Sequence, residues 1–224
     1  EISGIPGMPL CYWASDQMLN AFKAGKLLGA IASPRQGVKT GDNTIFLRTW
    51  FEVEYQKTTM NHYGEKKKWF PCNKGGEYRK WYNEYVIDWE NDGEKLRNFR
   101  DPSTGKLKSR PQNLSYMLKK GLTYTNVSST KLSVRFCEDG FIFDATGSMI
   151  FAKDEYLDYI LAFLLSDVAE KYAEILSASM TFEVGQIASL PIIYRDEEKS
   201  NIVNIVKENI KEEENDWDSF ETSW

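Results

Sequence analysis

The chain has 224 residues, a formal net charge of −5, 42% hydrophobic and 27% charged side chains, which is the profile of a globular protein with one large domain or two small ones. Its most apolar run, Ile160 to Leu165, falls far short of the roughly 18 residues that a membrane-spanning helix needs. Three widely spaced cysteines and a single histidine, His62, argue against a disulfide framework, a structural zinc site and a histidine-dependent hydrolase, and fit a reducing cytoplasm.

In chain order, Asp16 to Leu28 reads as a helix, with Ser15 or Asp16 as its cap and Gly29 as its stop. A loop over Gln36 to Asn43 precedes a strand predicted from Ile45 to Val53. The stretch from Gln56 to Lys80 reads as irregular. Tyr85 to Trp89 has the pattern of a strand and Gly93 to Phe99 that of a short helix. Asp101-Pro102-Ser103-Thr104-Gly105 is a turn, followed by a basic loop through Arg110 and a helix from Pro111 to Lys120. Short strands follow at Leu122 to Tyr124, Leu132 to Phe136, Phe141 to Phe143 and Met149 to Phe151. Glu155 to Leu165 and Val168 to Leu176 are helical, Phe182 to Leu190 extended, and Ser200 to Lys211 an amphipathic helix. The last thirteen residues are acidic and give no sign of a core role. This order predicts a mixed α/β (α+β) domain, a short-stranded twisted sheet with flanking helices. Residues 1–195 form the main domain and 196–224 an acidic amphipathic helix and tail. The opening residues lack an initiator Met and a signal-peptide core, as expected of a piece of a longer protein.

Charge is unevenly divided. Residues 1–153 hold 23 Lys and Arg against 16 Asp and Glu, whereas residues 154–224 hold 5 against 17. Phosphate binding depends on local potential, so the first two-thirds is the candidate surface for a polyanion. The segment Lys68-Trp69-Phe70-Pro71-Cys72-Asn73-Lys74-Gly75-Gly76-Glu77-Tyr78-Arg79-Lys80-Trp81 concentrates cations, flat rings and a Gly-Gly pair. Cations hold phosphates and rings stack on bases, although Trp69 and Trp81 also suit a core. Lys39, Thr40 and Asn43 can reach phosphates or base edges, and the same residues suit a simple strand-entry turn. The loop lacks the Lys-Ser/Thr ending of a nucleotide triphosphate cradle. Lys106, Lys108, Ser109, Arg110, Gln112 and Asn113 form a second polar-basic loop opening a helix, which also reads as an exposed linker; Lys119, Lys120 and Arg135 extend the same face. Carboxylate pairs such as Glu52 with Glu54, or Glu138 with Asp139, read as surface charge, against a metal-dependent nuclease.

Several segments together resemble one family. They are Ile5-Pro6-Gly7-Met8-Pro9 with Tyr12-Trp13, the loop Gln36 to Asn43 with Phe46-Leu47-Arg48, the Lys68 to Trp81 segment, and Tyr85 to Gly93. Ser109-Arg110-Pro111, Gly140 to Asp144 with Gly147-Ser148, Phe182 to Ile187 with Leu190-Pro191, and Asp216 to Trp224 complete the set. In this order they resemble the C-terminal part of the PglX-like adenine-specific DNA methyltransferases of BREX phage-resistance systems, relatives of fused restriction-modification methylases. Thr44-Ile45 and Cys72 depart from the pattern. The motifs for gripping a flipped adenine and for binding S-adenosylmethionine do not occur here. The resemblance therefore implies a target recognition domain without catalytic residues or its own cofactor, serving a parent enzyme that uses S-adenosylmethionine. Its partners would be double-stranded DNA and the methyltransferase half of the parent. On this reading Lys39, Lys68, Lys74, Arg79, Lys80 and Lys108 chiefly position the phosphate backbone, and Thr40 and Arg48 also contact DNA. Gln36, Asn43, Arg110, Gln112 and Asn113 read bases. The competing reading is a protein-interaction module that docks the methylase half or another defence subunit.

Overall fold

A computed structural model describes residues 5, 14–60, 67–76, 81, 84–127, 131–176 and 181–220. The class is mixed α/β, as expected, with the described strands divided among three sheets. The central sheet runs in the order β2 (Ala32–Arg35), β9 (Gly147–Ala152), β6 (Gly121–Thr125), β7 (Val134–Cys137), with every neighbour antiparallel. A second sheet has the order β3 (Leu47–Thr49), β5 (Tyr85–Asp88), β4 (Trp69–Asn73), β8 (Ile142–Phe143), in which the β4–β8 pair is parallel. A two-stranded ribbon pairs β1 (Lys26–Leu27) with β10 (Pro191–Ile192).

The period-2 alternation of strand side chains gives the central sheet two buried faces. On one, Leu122, Tyr124, Val134 and Ile150 meet helices. These are α1 (Asp16–Ala24), α4 (Asp154–Leu164), α5 (Asp167–Leu176), α6 (Val184–Ala188) and α7 (Asp196–Asp218). On the other, Cys137, Met149 and Phe151 meet the second sheet and its flanks through Phe46, Ile87 and Phe143. Each fully buried aliphatic or aromatic side chain stabilises the fold by about 2 kcal/mol relative to exposure.

Several elements differ from the sequence reading, each for a local reason. The first helix stops at Gly25 instead of Leu28, because Lys26 and Leu27 turn extended to pair with β10; Ser15 caps it through Met18 N at 3.3 Å. The strand predicted over Ile45 to Val53 is reduced to Leu47–Thr49. Asp42 accepts from Thr44 N and starts the short helix α2 (Asn43–Phe46), and Glu52 bends back onto Thr49 N at 2.8 Å to wind a 3-10 turn. The stretch read as irregular contains β4, with Pro71 inside it opposite Val86. The helix predicted from Pro111 to Lys120 is a single 3-10 turn, Leu114–Tyr116, because Asn113 and Leu118 adopt left-handed backbone (φ 54° and 65°). In α3 (Glu90–Arg97), Asn91, Asp92 and Gly93 are likewise left-handed.

Phe182 to Leu190 is not extended. Glu183 and Gln186 cap each other reciprocally, and α6 forms between them. The final helix runs from Asp196 to Asp218, since three carboxylates in its first turn complement the helix dipole. Trp217, expected to lie outside the core, is buried. No helix among the described residues is long and apolar enough to cross a membrane.

Candidate nucleic-acid interface

The two polar loops singled out in the sequence lie against each other. Lys39 and Arg110 exchange both backbone hydrogen bonds (Lys39 N to Arg110 O 3.0 Å, Arg110 N to Lys39 O 2.8 Å), so they stand directly opposite in an antiparallel pair. From there the two chains run on together. Gln112 Nε2 donates to Gly37 O (2.6 Å) and to Gln36 Oε1 (3.2 Å), and Asn113 Nδ2 donates to Gln36 O (2.9 Å). Arg35 Nη2 then donates to Tyr116 Oη at 3.3 Å and its guanidinium lies over the same ring. That hydrogen bond, with the Arg35 charge, holds the Tyr116 phenol below its ordinary pKa. The result is a ribbon with Lys39 and Arg110 at one end and Arg35 at the other.

Close backbone crossings hold this ribbon to the second sheet. Val38 N donates to Phe143 O, and a Cβ on Gly37 would lie 2.0 Å from that carbonyl oxygen. Gly41 has φ +77° and packs on the Lys108 carbonyl. Both glycines are therefore required by backbone approach, whatever else the loop does. Thr40 is buried and donates to Asn43 Oδ1 at 2.6 Å, which fixes the turn into α2.

Beside Lys39 lies a polar cleft of about 360 Å³, lined by residues 38–43, Lys74 and the 144–146 turn. Asp144 organises its floor. One carboxylate oxygen accepts from Thr146 N, Thr146 Oγ1 and Gly147 N (2.6–2.9 Å), and the other pairs with Lys74 Nζ at 2.8 Å.

The predicted cations differ in how they are occupied. Lys68 faces the buried Asp88 at 3.6 Å and covers the Trp69 ring; Lys74 faces the buried Asp144. Lys108 lies 3.6 Å from Asp42 and over the Phe99 ring, and hydrogen bonds from Thr44, together with the Lys108 charge, hold the Asp42 carboxyl below its ordinary range. Arg48 donates to the Thr44 and Leu47 carbonyls, both at 2.6 Å. Lys39 and Arg110 are exposed, and among the described residues no carboxylate lies within ion-pairing distance of either. Arg79 and Lys80 lie outside the described residues. Arg135, read as part of the basic face, is buried in the central sheet, and Lys120 pairs with Asp154. Gln112 and Asn113 direct their amide groups into the ribbon itself, and Gln36 accepts from Gln112 there while its own Nε2 donates to Ala145 O at 3.5 Å. The helix expected to open from the 106–113 loop is replaced by the 3-10 turn, so that loop has no helix N-terminus behind it. Sequence reasoning missed Arg35 and Tyr116, whose only signal was their place at the two ends of segments already flagged. Among the described residues no cluster of three or more metal-ligating side chains occurs.

No family model matches the chain. It is 37% identical over 228 aligned positions to an adenine-specific methyltransferase PglX from Lacticaseibacillus casei (strain Zhang). It is also 36% identical over 230 positions to an adenine-specific methyltransferase BrxX from Escherichia coli O9:H4 (strain HS). The alignments take in 98% and 100% of this chain. The chain is a homologue of one segment of PglX and BrxX. That segment is 19% and 18% of their respective lengths, so the chain spans about a fifth of the proteins it matches. The ribbon and the 144–147 turn fall within the aligned span.

Proposed function

We propose that this chain is the DNA target-recognition domain of an adenine-specific methyltransferase of the PglX and BrxX kind, and that its ribbon grips the phosphate backbone. One observation carries the reading. Lys39 and Arg110 stand directly opposite each other, exposed and with no carboxylate within ion-pairing distance among the described residues; the acids that share the cleft beside Lys39, Asp42 and Asp144, face Lys108 and Lys74 instead. Like charges in that position destabilise a strand pair by a few tenths of a kcal/mol or more. A phosphate lodged between them turns the repulsion into two charge-assisted hydrogen bonds, Arg being suited to bidentate recognition. Lys74 and the neighbouring cleft widen the binding surface, with Asp144 holding Lys74 in place. Lys68 and Lys108 act mainly on the fold, through Asp88 and Asp42. Asn43 and the tips of the 36–43 and 106–113 loops are left for base reading, while Gln36, Gln112 and Asn113 give the ribbon its shape. The methyl donor, S-adenosylmethionine, and the transfer step belong to the rest of the parent enzyme.

Duplex binding by the 224-residue chain, followed over a range of salt, tests this directly. Log affinity should fall linearly with log salt. The Lys39→Ala/Arg110→Ala double variant should lower that slope by about two, one for each phosphate that these side chains neutralise. A double variant with an unchanged slope would remove the ribbon from the interface. In the intact enzyme, exchanging this segment between two such methylases should change the methylated motif; an unchanged motif would sink the recognition assignment.

A further inference from the structure

On the far side of the central sheet the surface has the opposite character. α4 and α7 pack along each other, and beside β7 they leave a cleft of about 430 Å³. Its walls are mostly apolar: Phe136 from β7, Leu161 from α4 and Leu165 just past its end, Ile202, Ile205 and Ile210 from α7, with Arg135, Asn209 and Glu213 as the polar members. A second cleft of about 420 Å³ adjoins it, and Trp81, Phe136 and Ile210 line both, so the two form one groove. The second stretch is bordered by Glu138, Asp154, Asp158 and Glu214 against Lys120 and Lys207. Lys120 is already neutralised by Asp154 at 2.8 Å. Burial raises the Asp158 carboxyl above its ordinary pKa even with Lys207 and Lys120 nearby, and a further cation would favour its charged form by direct attraction.

Length, pattern and charge select the occupant. Along α7 the groove runs from Ile202 to Glu214, a rise of about 18 Å or three turns. Ile205 is 49% exposed and Leu165 39%, facing the groove where the apolar stripe of another helix would cover them. The carboxylates repel a polyanion. They also disfavour a second copy of this chain, whose own α7 would bring Glu212, Glu213 and Glu214 to the same place. We propose that this groove is the docking site for a cationic amphipathic helix of a partner polypeptide. The apolar stripe of that helix covers Ile205 and Leu165, and its Lys or Arg side chains meet Asp158 and Glu214.

The probe is a synthetic peptide of about 18 residues, long enough to be helical, with Leu on one face and Lys on the other. A matched Leu/Glu peptide is the control. The Leu/Lys peptide should bind the chain and weaken as salt rises. Ile205→Asp and Glu214→Lys, both on the exposed side of α7, should each lower its affinity about tenfold or more (about 1.4 kcal/mol) while far-UV circular dichroism and melting stay near those of the parent chain. Lys39→Ala/Arg110→Ala should leave this binding unchanged, which separates the groove from the ribbon. The proposal is overturned if both groove variants bind as the parent does, or if the Leu/Glu peptide binds equally well. It is also overturned if the chain dimerises and Ile205→Asp makes it monomeric, since the groove would then be a self-interface.

Discussion

The two faces of the central sheet are closed by different means. On the helical face, Leu122, Tyr124 and Ile150 are covered by side chains projecting from cylinders, so grooves remain wherever two cylinders and a strand meet. On the strand face, Phe46, Phe143, Met149 and Phe151 fill a side-chain core, and the loops around it are held by backbone lying on backbone. Gly37 packs on the Phe143 carbonyl, Gly75 on that of Thr146, and Gly147 on that of Asn73, with no room for a Cβ at any of them. Packing of that kind fixes loops rigidly without large apolar side chains, and it leaves the outward positions of the loops open to polar residues. The exposed cations of the ribbon sit on this face and the acidic, partly apolar groove on the other. Close backbone packing thus accompanies a rigid charged surface, and helix packing accompanies a surface with room for a guest.

This contrast can be tested from the strand face first. Gly37→Ala should be the most damaging single change, at about 3 kcal/mol, because the new methyl group meets a backbone carbonyl that cannot move aside. Urea denaturation would measure it. Gly105→Ala is the control: its φ of +66° is unfavourable for Ala, but nothing lies within 4 Å, so the loss should stay near ~1 kcal/mol. Equal losses would mean that backbone approach is not what holds this face. Lys74→Ala should come next, at about 2 kcal/mol, since it leaves the buried Asp144 carboxylate without its cation while the 144–147 turn still satisfies one oxygen. A melt unchanged from the parent's would place Lys74 among merely superficial charges.

Lys39→Glu should act in the other direction and stabilise the free chain by about 0.5 kcal/mol, by replacing a like-charge pair across the ribbon with an opposite one. A loss of stability there would show that the Lys39–Arg110 pair is not under strain. The smallest effect belongs to Asp101, whose carboxylate accepts from Ser103 and Thr104 and is thereby lowered from 3.8 to about 2. Its folded pKa lies below the unfolded one, so its contribution is complete above about pH 4 and is lost as the pH falls through about 2. Asp101→Asn should flatten stability over that window and lower it at pH 7, where the contribution of the charged carboxylate is complete, with parent and variant converging in acid. An identical acid limb in parent and variant would contradict this.

Much of the fold was legible from pattern. The strands at 85–88, 121–125, 134–137 and 147–152 and the helices at 154–164 and 167–176 carry their own periodicity, and caps or turns mark their ends. The sequence misled where one side chain redirects the backbone. Asp42 and Glu52 converted most of a β-branched, aromatic run into short helical turns. Glu183 with Gln186 did the same further on, and Asn113 in a left-handed conformation ended a helix before it began. β4 was hidden because Pro71 and flanking lysines do not look like a central strand, and only its neighbours β5 and β8 on either side make it one. For the candidate interface, residue type identified the two loops but not their pairing. The amides of Gln36, Gln112 and Asn113 have the chemistry of base readers, and hydrogen bonds between residues about 75 positions apart in sequence turn them inward. Lys68 and Lys74 look alike in the sequence, and tertiary placement beside Asp88 and Asp144 gives both a structural partner.

The stretch from Phe99 to Lys120 leaves α3 and returns at β6 having placed only Ser109 and Met117 in the interior. It is joined to the body by main-chain bonds, Arg110 with Lys39 and Leu118 with Phe141 and Gly140, which do not depend on side-chain identity, and by the few side chains of Ser109, Gln112 and Asn113. Such a stretch behaves as an interchangeable cassette. On the proposed reading of this chain as a DNA-recognition domain, its outward side chains can be rewritten one after another while the sheets beneath stay as they are, so new specificities can arise here without a new fold.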